Sequence, residues 1–142
     1  MILIDVNVLV YAKRLDSPNH ERFETWLRES LRSETIVGYS DLVLSGVVRV
    51  LTHPQIFAEP TQLDEALEYA NALREHPSCI PVFPGKQHWQ IFTRLCKASG
   101  AKGNLVSDAY FAALAIESGA EWITADRDYA RFPGLKWRHP LS

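Results

Sequence analysis

Residues 1–12 read Met1-Ile2-Leu3-Ile4-Asp5-Val6-Asn7-Val8-Leu9-Val10-Tyr11-Ala12. Ile2-Leu3-Ile4 has no polar alternation, so it reads as a strand buried on both faces, the pattern of a parallel sheet covered by helices. Asp5 closes that strand, and Val8 to Tyr11 reads as a turn or short helix. Further along, Thr35-Ile36-Val37, Cys79-Ile80-Pro81-Val82, Glu121-Trp122-Ile123-Thr124 and Leu135-Lys136-Trp137 have strand character. Pro81 confines its strand to an edge, because proline cannot donate to a ladder.

Helical patterns fill the gaps between these strands. Phe23, Trp26, Leu27 and Leu31 share one face of a helix that Ser17 caps, with Pro18 at its first position. Ser40 or Asp41 caps the next, which carries Leu42, Val43, Leu44, Val47, Val48 and Leu51 and stops at His53-Pro54. Thr61 opens another, with Leu63, Ala66, Leu67, Ala70 and Leu73 on its apolar face. Two more run over about Lys86–Ala98 and Asn104–Ser118, stopped by Gly100 and Gly119. Strands alternating with helices through short loops predict an α/β fold of three layers around a short, mostly parallel sheet.

The chain has 142 residues, 46% of them hydrophobic and 23% charged, which fits one domain over residues 1–142 with a real core. No apolar stretch approaches the ~20 residues of a membrane span, and no secretory leader is visible, so a cytoplasmic location is expected. Cys79 and Cys96 have no CxxC spacing, which excludes a zinc ribbon or a disulfide scaffold. A net charge of −2 argues against a broadly basic nucleic-acid coat, though not against basic groups around an acidic site. The histidines, His20, His53, His76, His88 and His139, show neither HxH nor HxxxH spacing. Neither GxxxxGK[ST] nor GxGxxG occurs, and Ser107 lacks a GxSxG elbow.

Three acids remain in suggestive places. Asp5 ends the first strand, Asp126 follows the Trp122–Thr124 strand by two residues, and Asp108 lies near the start of the Asn104 helix. Open parallel sheets bind ligands outside the carboxyl ends of their strands. Behind Asp108, Ala109, Ala112, Ala113 and Ala115 allow a close approach of that helix to the sheet. Acids brought together from separate segments repel one another, and a hard divalent cation relieves the repulsion through oxygen ligands, which points to Mg²⁺, with Mn²⁺ as a substitute. Each acid alone also has an ordinary reading, as a turn residue or a helix-terminal charge.

Four segments together resemble a PIN domain of the VapC-type toxin ribonucleases. They are Met1–Ala12, Ser45-Gly46-Val47-Val48-Arg49-Val50-Leu51-Thr52-His53-Pro54, Asn104–Ala115 and Thr124-Ala125-Asp126-Arg127-Asp128-Tyr129-Ala130-Arg131-Phe132. The resemblance spans nearly the whole chain and implies a PIN-like three-layer α/β/α sandwich. It implies that Asp5, Asp108 and Asp126 coordinate Mg²⁺ or Mn²⁺ and carry catalysis. It also implies RNA as substrate, a cognate antitoxin and a homodimer.

The chain departs from the family at Gly46, where a Glu is usual. Asp41 is five residues away, on another face of the helix, so it does not replace that Glu. Arg49 shares the Gly46 face and has two open roles, a contact to the scissile phosphate or a pair with Asp5. Asn7 either binds a ligand or shapes the turn, Arg127 is a candidate phosphate contact, and Asp128 either assists a metal through water or is a solvated turn acid. A Glu at position 46 is expected to be tolerated, since an interior helical Gly costs about 0.5–1 kcal/mol. Trp26 and Leu27 are candidates for an antitoxin groove.

The favoured expectation is thus metal-dependent hydrolysis of RNA by the toxin of a toxin–antitoxin pair. The alternative is a degenerate PIN domain that binds RNA or antitoxin without efficient catalysis. An aspartyl-phosphate enzyme of the haloacid dehalogenase type fits less well, because it expects an acid where Asn7 stands.

Overall fold

A computed structural model describes residues 1–142. Five short strands form one sheet: β1 (Ile2–Ile4), β2 (Val37–Tyr39), β3 (Cys79–Pro81), β4 (Glu121–Ile123) and β5 (Trp137–Arg138), in the order β3-β2-β1-β4-β5. All four pairings are parallel. Six helices flank the sheet in an α/β/α sandwich: α1 (Val6–Lys13), α2 (His20–Arg32), α3 (Asp41–Leu51), α4 (Leu63–Glu75), α5 (His88–Ser99) and α6 (Asn104–Ser118).

The strand order positions the site. The chain moves from β1 outward to β2 and β3, then returns to the other side of β1 with β4. The crevice at the carboxyl ends of β1 and β4 is therefore the topological switch point, the usual ligand position in such sheets. Ile4 pairs with Ile123, and the Asp5 N–H donates to the Ile123 carbonyl at 2.8 Å. That register puts Asp5 beside Thr124 and the Asp126 turn.

The core holds 28 buried apolar residues. All three residues of β1 are buried, as their unbroken apolarity predicts. Ala109, Ala112, Ala113 and Ala115 are fully buried along α6, so small side chains do bring this helix close onto the sheet. Pro81 lies on an edge strand, where its missing N–H costs no ladder bond.

Several boundaries differ from the sequence expectation. The first helix starts directly after Asp5 and runs eight residues, because the Asp5 carboxylate accepts from the Val6 N–H and caps it. Ser17 does not cap α2. Its hydroxyl donates back to the carbonyls of Tyr11 and Arg14, and Asn19, at φ 58°, turns the chain into the helix at His20. Strand β2 is shifted two residues on, to include Gly38, where a Cβ would meet Leu3 Cδ2 at 2.6 Å. Ser40 caps α3, while Asp41 pairs with Arg74 of α4 at 2.8 Å. Thr61 is buried with its N–H on the Leu51 carbonyl, and Gln62 precedes α4.

Candidate active site

Asp5 is the centre of the site, and its carboxylate is nearly inaccessible, at 6% exposure for the residue. One oxygen accepts from the Val6 N–H at 2.7 Å. The other accepts from the Thr124 hydroxyl at 2.7 Å and from Asn7 Nδ2 at 3.2 Å. Burial pushes the Asp5 carboxyl up to about 7, against the hydrogen bonds from Thr124 and Val6, and the negative charges of Asp108 and Asp126 add to the rise.

Thr124 is fully buried at the end of β4 and ties two acids together. While donating to Asp5, its oxygen accepts the Asp126 N–H at 3.0 Å. Asp126 in turn accepts the Asp128 N–H at 2.9 Å, capping a short 3-10 turn over Arg127–Arg131. Asp108, half-buried on α6, accepts from the Tyr129 hydroxyl at 3.2 Å. The Tyr129 ring is 1% exposed and lies between Trp122 and Phe132 at centroid distances of 5.5 and 5.7 Å. Burial raises the Asp108 carboxyl, the Tyr129 bond opposes it, and the charges of Asp126 and Asp128 add to the rise. Burial, followed by the neighbouring carboxylates of Asp5 and Asp108, raises the Tyr129 hydroxyl as well.

The three sequence-predicted acids therefore act on one another electrostatically, and none forms an ion pair with a lysine or arginine. Desolvated, uncompensated oxygen donors are the chemistry that a hard divalent cation satisfies. The fit has a limit: no three acidic, histidine or cysteine side chains close into a compact metal cage. A cation here would be held by acids contributed from separate elements, the cap of α1, α6 and the turn after β4, and not by a preformed shell.

The remaining candidates divide. Asn7 shapes the turn: its Oδ1 accepts the Ala125 N–H at 3.2 Å while its Nδ2 donates to Asp5 and, at 3.4 Å, to Thr124. Arg49 is exposed and unpaired, so the pairing with Asp5 is absent. It lines a cleft of about 410 Å³ with Val6 and Ser107, the sequence neighbours of Asp5 and Asp108. Arg127 is exposed, and its charge is felt by His139. Asp128 is exposed and lies 4.0 Å from Arg131, yet close enough to act on Asp108.

Gly46 lines the same cleft and packs closely on Val6. A Cβ there would stand 3.0 Å from Val6 Cγ2, so a Glu requires the Val6 side chain to give by a few tenths of an ångström, a cost that helix propensity leaves out. Leu27 is buried at 7% and leaves the candidate groove, whereas Trp26 is half-buried. The histidines carry structural bonds. His88 is buried with Nε2 at 3.0 Å from the Tyr110 carbonyl, and Nδ1 of His53, His76 and His139 accepts backbone N–H groups. Thr124 and Tyr129 join the predicted acids through hydrogen bonds that the sequence analysis does not single out. A hydroxyl at the end of an apolar strand was the available signal for Thr124, and nothing local marked Tyr129.

Comparison with known proteins identifies the family. A family model for the PIN domain matches residues 2–135. Ribonuclease VapC43 of Mycobacterium tuberculosis is 41% identical over 142 residues, covering 100% of this chain and 97% of the relative. The solved structure of VapBC2 from Rickettsia felis bound to a DNA fragment from their promoter has a TM-score of 0.71 at 16% identity, over 97% of this chain and 98% of that one. Mycobacterium tuberculosis VapC20, described as a sarcin-ricin loop cleaving toxin, has a TM-score of 0.67 at 16% identity, over 95% and 98%. At such identity the two structures show a shared fold. With the family match and the full-length relative, they lead to one assignment: the chain belongs to the PIN-domain family, among its VapC proteins.

Proposed function

We propose that this chain is the toxin of a toxin–antitoxin pair and acts as a metal-dependent ribonuclease at the Asp5–Asp108–Asp126 site. The observation that carries the reading is the convergence of three unpaired carboxylates at the switch point of the sheet. The names of its relatives support RNA as the target: VapC43 is named a ribonuclease, and VapC20 is described as cleaving the sarcin-ricin loop.

Asp5, Asp108 and Asp126 would hold Mg²⁺ or Mn²⁺. When bound, the cation supplies Lewis acidity to a phosphoryl oxygen and to water. The chain's own groups do the rest. Thr124 and Asn7 fix the Asp5 carboxylate from one side, and Tyr129 fixes Asp108 from the other. Thr124 holds the backbone of Asp126 so that strand end and turn move as one piece. Arg49, with its planar fork of donors, binds a phosphate of the RNA next to the scissile one. Asp128 acts on the site by charge, through Asp108. A cognate antitoxin and a second copy are the protein partners in this reading, and exposed Phe83 (70%) and Trp89 (67%) supply apolar surface for them.

A second reading has specific support in the absent Glu at Gly46 and in the open arrangement of the acids. In it the chain binds RNA or antitoxin without efficient cleavage. RNA cleavage by purified toxin, free of antitoxin, over a Mg²⁺ titration separates the two. Activity that appears with Mg²⁺ and is abolished in Asp108→Asn supports the ribonuclease. Equal, background cleavage by wild type and folded Asp108→Asn supports the binding module.

A further inference from the structure

Beside the acids, α3, α5 and α6 enclose the cleft of about 410 Å³, within the range of about 300–1,000 Å³ typical of small-ligand sites. Three aromatic residues, Phe92, Tyr110 and Phe111, form much of its wall, set edge-to-face at 6.0 and 6.3 Å between centroids. Arg49 is the one charged residue among those lining it, and Ser45 and Ser107 add hydroxyls. Val6 and Ser107 join the cleft to Asp5 and Asp108 without a gap in sequence. The cleft and two of the acids are therefore carried by adjoining residues of the same two segments, with none of the three acids among its lining residues.

Resting on the ribonuclease reading, we infer that this cleft is a subsite for one unpaired nucleobase of the RNA, whose own phosphate lies on Arg49. The chemistry matches part by part. A base presents a flat π-face to aromatic walls and polar edges to hydroxyls, and its phosphate supplies the anion that Arg49 lacks. The acids repel a polyanion, so a cation at the cleft rim is what directs the strand. A base paired in a helix cannot enter, because its faces are stacked and its edge is occupied. The cleft then holds a nucleotide splayed out of the strand beside the cut. Gly46, which lines the same cleft, keeps an acid out of this space.

The test has a binding arm and a cleavage arm on the full chain. In methyl NMR without divalent metal, nucleoside 5′-monophosphates should shift the Val6, Leu42 and Val106 signals, and Arg49→Ala should weaken the binding. In cleavage, an abasic nucleotide next to the cut should lower kcat/KM about tenfold in wild type. Val106→Asp, at a residue 36% exposed on the cleft rim, should lose a similar factor on intact RNA and nothing more on the abasic strand. Additive losses, or efficient cleavage with no methyl shift from nucleotides, overturn the subsite while leaving the ribonuclease intact. Nucleotide shifts without any cleavage keep the subsite and remove the ribonuclease. Shifts caused by an antitoxin peptide but by no nucleotide assign the cleft to protein and overturn the proposal.

Discussion

Replacing Asp5 by Asn should make the metal-free protein more stable at high pH and less stable at low pH. Burial lifts the Asp5 carboxyl from its ordinary value of 3.8 to about 7. The folded state thus holds this proton more tightly than the unfolded state, and wild-type stability falls as pH rises from 3.8 through 7. The full shift corresponds to about 4 kcal/mol, of which about 3 kcal/mol develops between about pH 4.5 and pH 8. The amide introduced by Asp5→Asn does not titrate, but it turns an NH₂ toward Thr124 Oγ1 and Asn7 Nδ2, where Asp5 accepts two hydrogen bonds. That mismatch costs about 1–3 kcal/mol at every pH. Urea unfolding in EDTA at about pH 4.5, 6 and 8 should therefore show the variant gaining on wild type by about 3 kcal/mol across the series. Adding Mg²⁺ to about a hundred times the wild-type Kd should restore about 3 kcal/mol to wild type and at most about 1.4 kcal/mol to the variant. A difference between the two proteins that is constant with pH would refute the reasoning.

Two further substitutions probe the supports of the site. Tyr129→Phe removes the one hydroxyl that donates to Asp108 and leaves the ring packed, so it should cost about 1–2 kcal/mol. Because that bond favours the charged form, the Asp108 carboxyl should titrate higher in the variant, which carboxyl NMR reads; a fall contradicts the assignment. Gly46→Ala sets overpacking against Val6, about 1–3 kcal/mol, against a helix-propensity gain of up to about 1 kcal/mol, so a net loss is expected. Val6→Ala in the same chain should remove that loss, and strict additivity of the two substitutions would show that the contact is not its cause.

Much of the fold was legible in the chain because apolar patterns and strand-end acids are local signals. Ile2–Ile4 announces a buried parallel strand, and Asp5, Asp108 and Asp126 fall where such a sheet binds ligands. The boundaries were less legible, because tertiary contacts overrode local preference. Gly38 weakens β2 by propensity yet is needed where Leu3 approaches, and Ser17 has a better use in folding back onto Tyr11 and Arg14 than in capping. Tyr129 could not be found from spacing, since its bond to Asp108 joins residues 21 apart through the packing of α6 on β4. Gly46 shows the same limit in reverse: its role is set by Val6 on another helix.

Whether Asp5 and Asp108, from separate elements, hold one divalent cation is tested most directly by calorimetry. Titrating Mn²⁺ into antitoxin-free wild type, Asp5→Asn and Asp108→Asn reads the site without relying on catalysis. A saturable site is expected in wild type, with at least about tenfold weaker binding in each folded variant, a loss of about 1.4 kcal/mol or more. Unchanged Mn²⁺ affinity in both variants would contradict the assignment.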